Sequence, residues 1–160
     1  MISITDKTLQ DLQFSTVLGT ISSICNTDIG KQKALEIVPF KTKESLMTAL
    51  LQTSEYLSSF QNNNAIPNHG FDAITYEIKF LGIEDSFLEV GSFKKIATIS
   101  ETSNLLIQFF KKFEEYYPYL NAKTSQIEYT KEIIKLIDEV VDKYGEIKDN
   151  ASPDLLNIRR

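Results

Sequence analysis

The sequence is very poor in cysteine and histidine, two side chains that enzymes often use in catalytic and metal sites. Its 160 residues include one cysteine, one histidine and no tryptophan. A structural zinc ion needs about four ligands, which Cys25 and His69 cannot supply. No serine or cysteine lies in a recognisable nucleophile motif, and no Gly-x-x-x-x-Gly-Lys-Ser/Thr phosphate loop is present. We therefore predict no catalytic residue, bound cofactor or metal in this segment.

The chain also lacks signals for export or membrane insertion. A single cysteine cannot form an internal disulfide, which favours a reducing compartment. Residues 1–7 have neither the basic start nor the apolar run of a signal peptide. The longest uncharged interval, residues 12–27, contains Ser, Thr, Gln and Gly, so it predicts a buried helix and not a membrane span. We expect a cytoplasmic protein without a membrane partner.

Charge and composition are those of a globular protein. Hydrophobic residues make up 42% of the chain and charged residues 24%, and this length suits one domain with a core. The net charge of -5 argues against a surface that coats nucleic acid generally. The net charge does not exclude a local basic patch.

Apolar residues recur at helical spacing along most of the chain. The predicted helical stretches are residues 14–25, 27–39, 42–61, 74–82, 90–118 and 125–144. Strand-like alternation is absent, so we predict an all-α multi-helix bundle. Thr8 and Ser15 are both plausible caps, which leaves open one first helix or two. Asn68 or Asp72 is expected to cap the helix that Gly82 ends, and the conformation of residues 83–90 is left open.

The end of the chain carries the clearest start and stop signals. Gly145 follows a helical pattern and is predicted to close that helix in the left-handed conformation. Ser152 is a preferred N-cap, and Pro153 suits the first position of a new helix. We expect this short helix to continue in a longer natural protein, with residues 1–151 as a helical core domain and residues 152–160 as the start of a long lever helix.

Three motifs resemble those of MutS proteins. The core-domain motif of that family is similar to Thr27-x-x-Gly30-x-x-x-Ala34-Leu35-x-x-x-Pro39. The second bacterial MutS subfamily, which lacks the mismatch-reading domain and suppresses recombination, has a glycine-centred turn that resembles Ile66-Pro67-Asn68-His69-Gly70-Phe71-Asp72. The most specific motif resembles the signature leading into the lever helix: Gly145-Glu-Ile-x-Asp149-x-Ala151-Ser152-Pro153-x-Leu155-x-x-Ile158-Arg159.

The resemblance implies a truncated MutS core and a mechanical role. The full-length protein would be a homodimeric ATPase with bound ATP and Mg²⁺, a DNA clamp and a C-terminal nuclease domain. Its partners would be branched or recombination-intermediate DNA, with stalled ribosomes as a further partner to test. In this segment, Gly30 would allow close helix approach, Pro39 would end a helix, and Ser152 with Pro153 would launch the lever.

Other features have both a functional and a structural interpretation. Lys94, Lys95 and Arg160 are candidates for weak nucleic-acid contact, although lysines interleaved with glutamates are more often a solvated surface. For Arg159 and Arg160 we favour a positioning role, by ion pairing within the bundle, over direct DNA contact. His69 is expected to shape its turn. Cys25 is expected in the core, as are most of the aromatic residues between 109 and 119, which favour packing over base stacking.

A second hypothesis is a free-standing helical module that binds another protein. An exposed apolar patch on the last helices would support it. The abrupt end of the sequence and the joint fit of three motifs count against it.

Overall fold

The computed structural model describes residues 4–159, and within them the secondary structure is helical, with no strand. The predicted all-α multi-helix fold is confirmed. The helices are α1 (Asp6–Asp11), α2 (Phe14–Ile24), α3 (Asp28–Leu35), α4 (Lys43–Ser58), α5 (Thr75–Leu81), α6 (Val90–Lys112), α7 (Pro118–Thr124), α8 (Lys131–Val140) and α9 (Pro153–Ile158).

The chain forms two compact units. The first ends at Leu51 and the second begins at Gln52, so the boundary falls within α4. The predicted boundary between a core domain and a lever at residues 151 and 152 stays a prediction.

In the first unit, α2 packs on α3. Leu18 of α2 and Ala34 of α3 are buried, and the Ser22 hydroxyl donates to the Lys31 carbonyl at 3.0 Å. The region before α3 contains two helices, because Gln13 adopts the left-handed conformation (φ 50°) between α1 and α2. Thr5 caps α1, so the expected caps at Thr8 and Ser15 are wrong.

The proline after α3 is not the last residue of that helix. α3 ends at Leu35, and Glu36 is its C-cap. Val38 and Pro39 follow in non-helical backbone. The predicted helical range 27–39 is therefore too long at its end. A proline disfavours helical backbone in the residue before it, so the helix stops ahead of Pro39.

The second unit is organised around α6, the longest helix, which contacts α7 and α8. Ile96 and Phe110 of α6 are buried, together with Tyr117 and Val141. The prediction of one helix up to Pro118 is wrong, because α6 ends at Lys112 and Pro118 is the first residue of α7. Proline lacks the N–H that a helix interior needs, but it fits at a helix start.

The last long helix is shorter than predicted at both ends. Residue 125 is the C-cap of α7, and α8 spans only Lys131–Val140. After α8 the chain turns back in an antiparallel bridge between Val141 and Ile147. Gly145 lies in this turn with φ +83°, so its left-handed conformation is as predicted. Its position at the close of a helix is wrong, since α8 has already ended at Val140.

Two features flank α5. Ile74 is the N-cap residue of α5, and its side chain makes no capping hydrogen bond. The expected capping by Asn68 or Asp72 is therefore wrong. The Asn68 side chain instead accepts from the Gly70 N–H at 3.1 Å. Gly82 is the C-cap, as predicted.

Candidate functional sites

The final motif forms a short helix start that is tied to the turn before it. The Ser152 hydroxyl accepts from the Leu155 N–H at 3.1 Å, and Pro153 is the first residue of α9. The Arg159 guanidinium lies 2.7 Å from Asp149 Oδ1 and 3.2 Å from the Ile147 carbonyl. The ion pairing expected for Arg159 is therefore present, with both side chains largely exposed. Arg160 lies outside the described residues.

The turn after α8 is held by one carboxylate. Asp142 Oδ1 accepts from the Tyr144 N–H at 2.9 Å and the Glu146 N–H at 2.8 Å. These contacts lower the pKa of Asp142, chiefly through the Glu146 N–H, while desolvation opposes the shift. The Lys148 N–H donates to the Val140 carbonyl at 2.9 Å, which joins the turn to the end of α8.

The first MutS-like motif surrounds the start of α3. The Thr27 hydroxyl caps this helix by accepting from the Gly30 N–H at 3.0 Å. A Cβ atom at Gly30 would lie 2.9 Å from Thr27 Oγ1 and 3.5 Å from Cys25 Cβ, at the end of α2. Leu35 is exposed at the end of α3. The glycine therefore leaves space for the capping hydroxyl of Thr27 and for Cys25, the C-cap of α2.

The second motif forms a loop whose histidine is fixed on both sides. His69 Nδ1 lies 2.9 Å from the Pro67 carbonyl, and His69 Nε2 lies 3.3 Å from the Tyr56 hydroxyl. Its ring also meets the Tyr56 ring edge to face. These contacts occupy both ring nitrogens, in agreement with a histidine that shapes the loop. Gly70 follows in the same loop, and Asp72 is exposed beyond it.

The two described candidates for nucleic-acid contact, Lys94 and Lys95, have different surroundings. Lys95 Nζ lies 3.4 Å from Oε1 of Glu77. Lys94 is exposed on the same helix, α6, but adjacent residues on a helix point in different directions. Lys95 is therefore paired with an acidic residue, and the nucleic-acid contact suggested for both lysines stays a prediction.

The aromatic cluster is divided between the core of the second unit, its half-buried margin and its surface, where Tyr119 is exposed. Tyr117 is fully buried and Phe110 nearly so, and both rings contact Phe109. Tyr116 is exposed. Packing accounts for the buried members, as predicted. Cys25 differs from its expected core position, since it is only half-buried at the end of α2.

Glu77 is a buried acidic residue that the sequence reading missed. It is 2% exposed in the first turn of α5 and accepts from Lys95 and from the Ser92 hydroxyl, at 3.4 and 3.3 Å. The sequence does contain a signal of this burial, because Glu77 lies on the same helical face as Ile74 and Leu81. A charged residue on an apolar face indicates a buried partner of opposite charge.

The last helices carry an exposed apolar stripe. Ile133, Leu136 and Val140 of α8 are 41%, 63% and 42% exposed. They follow one another at the three- and four-residue spacing of a single helix face. This stripe is the feature that the hypothesis of a protein-binding module requires.

The described residues contain neither a metal-binding cluster nor a membrane-spanning helix. Between residues 4 and 159, no three His, Cys, Asp or Glu side chains lie close enough together to hold a metal ion. In the same range no helix combines the length and apolar character needed to cross a bilayer.

The chain is similar to known proteins over nearly its whole length. No family model matches it. Curated proteins named endonuclease MutS2 match 96–97% of it: those of Alkaliphilus oremlandii, Symbiobacterium thermophilum and Staphylococcus aureus strain Newman are 26%, 24% and 24% identical over 157, 155 and 159 residues. The chain spans about a fifth of the length of these relatives, 20%, 19% and 20%. The resemblance indicated by the three motifs is thereby confirmed: the chain is similar to the second bacterial MutS subfamily over nearly its whole length, as an N-terminal segment of such a protein would be.

Proposed function

We propose that this chain is the scaffold and coupling segment of a MutS-like, DNA-binding ATPase. The observation that carries the proposal is its similarity to endonuclease MutS2 over 97% of its own length and 20% of the relative's. The chain contains no phosphate loop, so ATP and Mg²⁺ would bind elsewhere in the full-length protein. Its part is mechanical, linking nucleotide-driven movement to a DNA clamp.

The full-length protein would be a cytoplasmic homodimer with a C-terminal nuclease domain. It would bind branched DNA or recombination intermediates and suppress recombination, and stalled ribosomes are a further partner to test. The relatives are named endonuclease MutS2, which supports a nuclease activity of the full-length protein. Each of these properties is part of the proposal.

The contacts at the chain end offer a route for coupling. Arg159, just after α9, binds Asp149 and the Ile147 carbonyl. Ile147 pairs with Val141 in the bridge that follows α8, and α8 packs on α6. A movement of α9 would therefore pull on the turn and reach α6 through packed and hydrogen-bonded elements, which is what coupling between distant sites requires.

The coupling role can be tested in the full-length protein. We expect four-way-junction DNA to change its ATPase rate, and Arg159→Ala to reduce this response while basal ATPase activity and junction binding persist. The exchanged pair Asp149→Arg with Arg159→Asp should restore part of the response, because it rebuilds the ion pair in reverse. Lys33→Ala is the control, since it removes the exposed Lys33–Glu36 pair on α3. An unchanged DNA response in Arg159→Ala would contradict coupling through this contact.

Direct DNA contact by the segment is a separate question. The 160-residue chain can be titrated with labelled four-way-junction and duplex DNA across a salt series. Binding that weakens steeply with salt would show phosphate contacts by the segment itself. Absence of binding at low salt would exclude Lys94 and Lys95 as contacts and would leave the coupling role in place.

The second candidate function is a free-standing helical module that binds another protein. The exposed stripe formed by Ile133, Leu136 and Val140 favours it. Hydrogen exchange along α8 in the full-length protein distinguishes the coupling segment from the free-standing module. Protection of α8 that is absent in the 160-residue chain would mean that the rest of the protein covers the stripe, which supports the coupling segment. Equal exchange in both would favour the module.

A further inference from the structure

A groove in the second unit lies between α6 and α8. Its volume is about 520 Å³, and Leu105 of α6 and Ile134 of α8 line it. Leu105 is 48% exposed, so the groove presents an apolar side chain to solvent. The two helices run in opposite directions, because Gln108 donates to the Tyr129 hydroxyl just before α8, whereas Glu101 lies beside the end of α8.

The charged residues of the groove are separated by sign along its length. The basic end consists of Lys131 and Lys135, in the first half of α8. The acidic end consists of Asp138 and Glu139, in the second half of α8, together with Glu101 of α6. A rise of about 1.5 Å per residue puts the centres of the two α8 pairs about 8 Å apart. Within residues 4–159 none of these side chains forms an ion pair.

This order of charges is unfavourable for α8 itself. The dipole of a helix favours acidic residues at its start and basic residues at its end. Lys131 is the first residue of α8, and its last turn contains Asp138 and Glu139 but no basic residue. Glu132, in the first turn, has the favourable sign but does not line the groove. A partner that neutralises both ends of the groove would therefore also relieve an unfavourable arrangement within α8.

We propose that this groove is an interface between two copies of this chain, which meet with their α8 helices antiparallel. A two-fold axis across the groove places the basic end of each protomer over the acidic end of its partner. A parallel arrangement would bring like charges together, so the charges select the antiparallel one. Leu105 and Ile134 of both protomers would meet between the charged ends and fill the groove. The two pairs of helices would form a four-helix bundle.

A second copy fits the groove because the sequence of charges along α8 is complementary to its own reverse. The interface is small, since α8 has 10 residues and at about 1.5 Å per residue is about 15 Å long. Interfaces that bury less than about 1,200 Å² are typical of weak complexes. In the full-length protein this contact would add to the homodimer proposed above, and it does not use the coupling route through α9.

The first measurement is sedimentation equilibrium of the 160-residue chain at low salt. We expect a monomer–dimer equilibrium with a dissociation constant above about 10 µM, as a small interface implies. The dissociation constant should rise with salt, because ion pairs at a solvent-exposed interface are screened. A chain that stays monomeric up to about 1 mM would refute the interface.

Reversal of one end of the groove at a time tests the pairing of charges. One variant carries Lys131→Glu with Lys135→Glu, and the other carries Asp138→Lys with Glu139→Lys. Each alone should raise the dissociation constant at least about tenfold, because like charges then face each other. An equimolar mixture should associate at least as tightly as the natural chain, because α8 of one variant is acidic in the groove where α8 of the other is basic. A mixture that does not associate, or an unchanged dissociation constant in either variant, would overturn the proposal.

Both double variants preserve the conditions for folding. They place acidic residues near the start of α8 or lysines near its end, which the helix dipole favours, so circular dichroism should show unchanged helix content. The matched control, Lys111→Glu with Lys112→Glu, makes the same change in net charge at exposed positions at the end of α6, outside the groove. It should change the dissociation constant less than about twofold. An equally large effect of this control would mean that net charge is the cause, and would refute the groove.

A pair of leucine variants separates the groove from the exposed stripe of α8. Leu105→Gln removes an apolar side chain from the middle of the interface and should raise the dissociation constant at least about fivefold. Leu136→Gln is the control, because Leu136 is 63% exposed on the stripe and does not line the groove. The opposite order of effects would refute the groove and would place the contact on the stripe. Neither outcome bears on the coupling role, which the ATPase response of Arg159→Ala tests.

Discussion

The Tyr117 hydroxyl donates to the Asn64 carbonyl at 2.9 Å and so joins the core of the second unit to the loop after α4. Tyr117 is completely buried, and its ring packs against Phe109 and Phe110. One side chain therefore fills the core and satisfies a backbone carbonyl of a distant loop. This contact ties the loop that contains the second MutS-like motif to the core of the second unit.

Truncation of Tyr117 should be among the most destabilising single substitutions in the chain. We expect Tyr117→Ala to lower the free energy of unfolding by about 3–5 kcal/mol, because a large buried side chain is lost. Tyr117→Phe should cost about 1–2 kcal/mol, since only the hydrogen bond is removed. Urea denaturation measures both. Tyr116→Ala is the control: this neighbour is 61% exposed, and its change should be much smaller. Equal losses at the two positions would contradict the packing described.

A carboxylate from α4 caps the start of α7. Glu55 accepts from the Tyr119 N–H at 2.9 Å and from the Leu120 N–H at 2.8 Å, one with each oxygen. Both N–H groups belong to the first turn of α7, where they have no partner within the helix. We expect Glu55→Ala to lower the free energy of unfolding by about 1–2 kcal/mol.

Two measurements check the role of Glu55. Chemical denaturation gives the loss of stability, and hydrogen exchange should show faster exchange at Tyr119 and Leu120 in Glu55→Ala. Glu101→Ala, at an exposed position within α6, serves as the control and should leave these two amides unchanged. Unaltered exchange at Leu120 in Glu55→Ala would mean that the cap contributes nothing in solution.

Local signals in the sequence predicted three helix starts correctly, whereas the caps expected at Thr8, Ser15 and Asn68 or Asp72 were wrong. Thr27, Thr42 and Ser152 each accept a hydrogen bond from an N–H three residues later, as their cap positions indicate. Each of these hydrogen bonds joins residues within one helical turn, so the local sequence is enough to predict it. The three starts agree with the predicted helical stretches beginning at residues 27, 42 and 152.

Tertiary contacts determine the start of α8 and the Glu77–Lys95 pair, which the sequence did not predict. The Thr130 N–H donates to Asn104 Oδ1 at 2.9 Å, and this bond from α6 fixes the chain just before α8. The spacing of apolar residues alone had predicted that α8 begins at residue 125. The Glu77–Lys95 pair likewise joins residues on different helices, α5 and α6. Such pairings depend on how helices pack, and hydrophobic spacing within one helix does not encode them.

The turn after α8 requires a glycine. Gly145 has φ +83°, a conformation that other residues adopt only with strain. We expect Gly145→Ala to lower the free energy of unfolding by about 1–2 kcal/mol. Gly91→Ala is the matched control, because Gly91 is helical and a Cβ there meets nothing within 4 Å. It should leave stability unchanged or raise it slightly. Losses of equal size in the two variants would show that the turn conformation is not the cause.

The same turn should respond to acid through Asp142. Because the N–H groups of Glu146, Tyr144 and Gly145 hold its pKa below the ordinary value, the folded turn favours the charged carboxylate. The contribution to stability is therefore complete above the unfolded pKa of about 4 and is lost as the pH falls through the lower folded pKa. NMR titration should show the Tyr144 and Glu146 amide shifts changing together with the Asp142 carboxyl signal below pH ~4. In Asp142→Asn this shared titration should vanish, whereas in the control Asp138→Asn, on α8, it should persist. An Asp142 carboxyl that titrates at or above its ordinary value would contradict the two hydrogen bonds that define the turn.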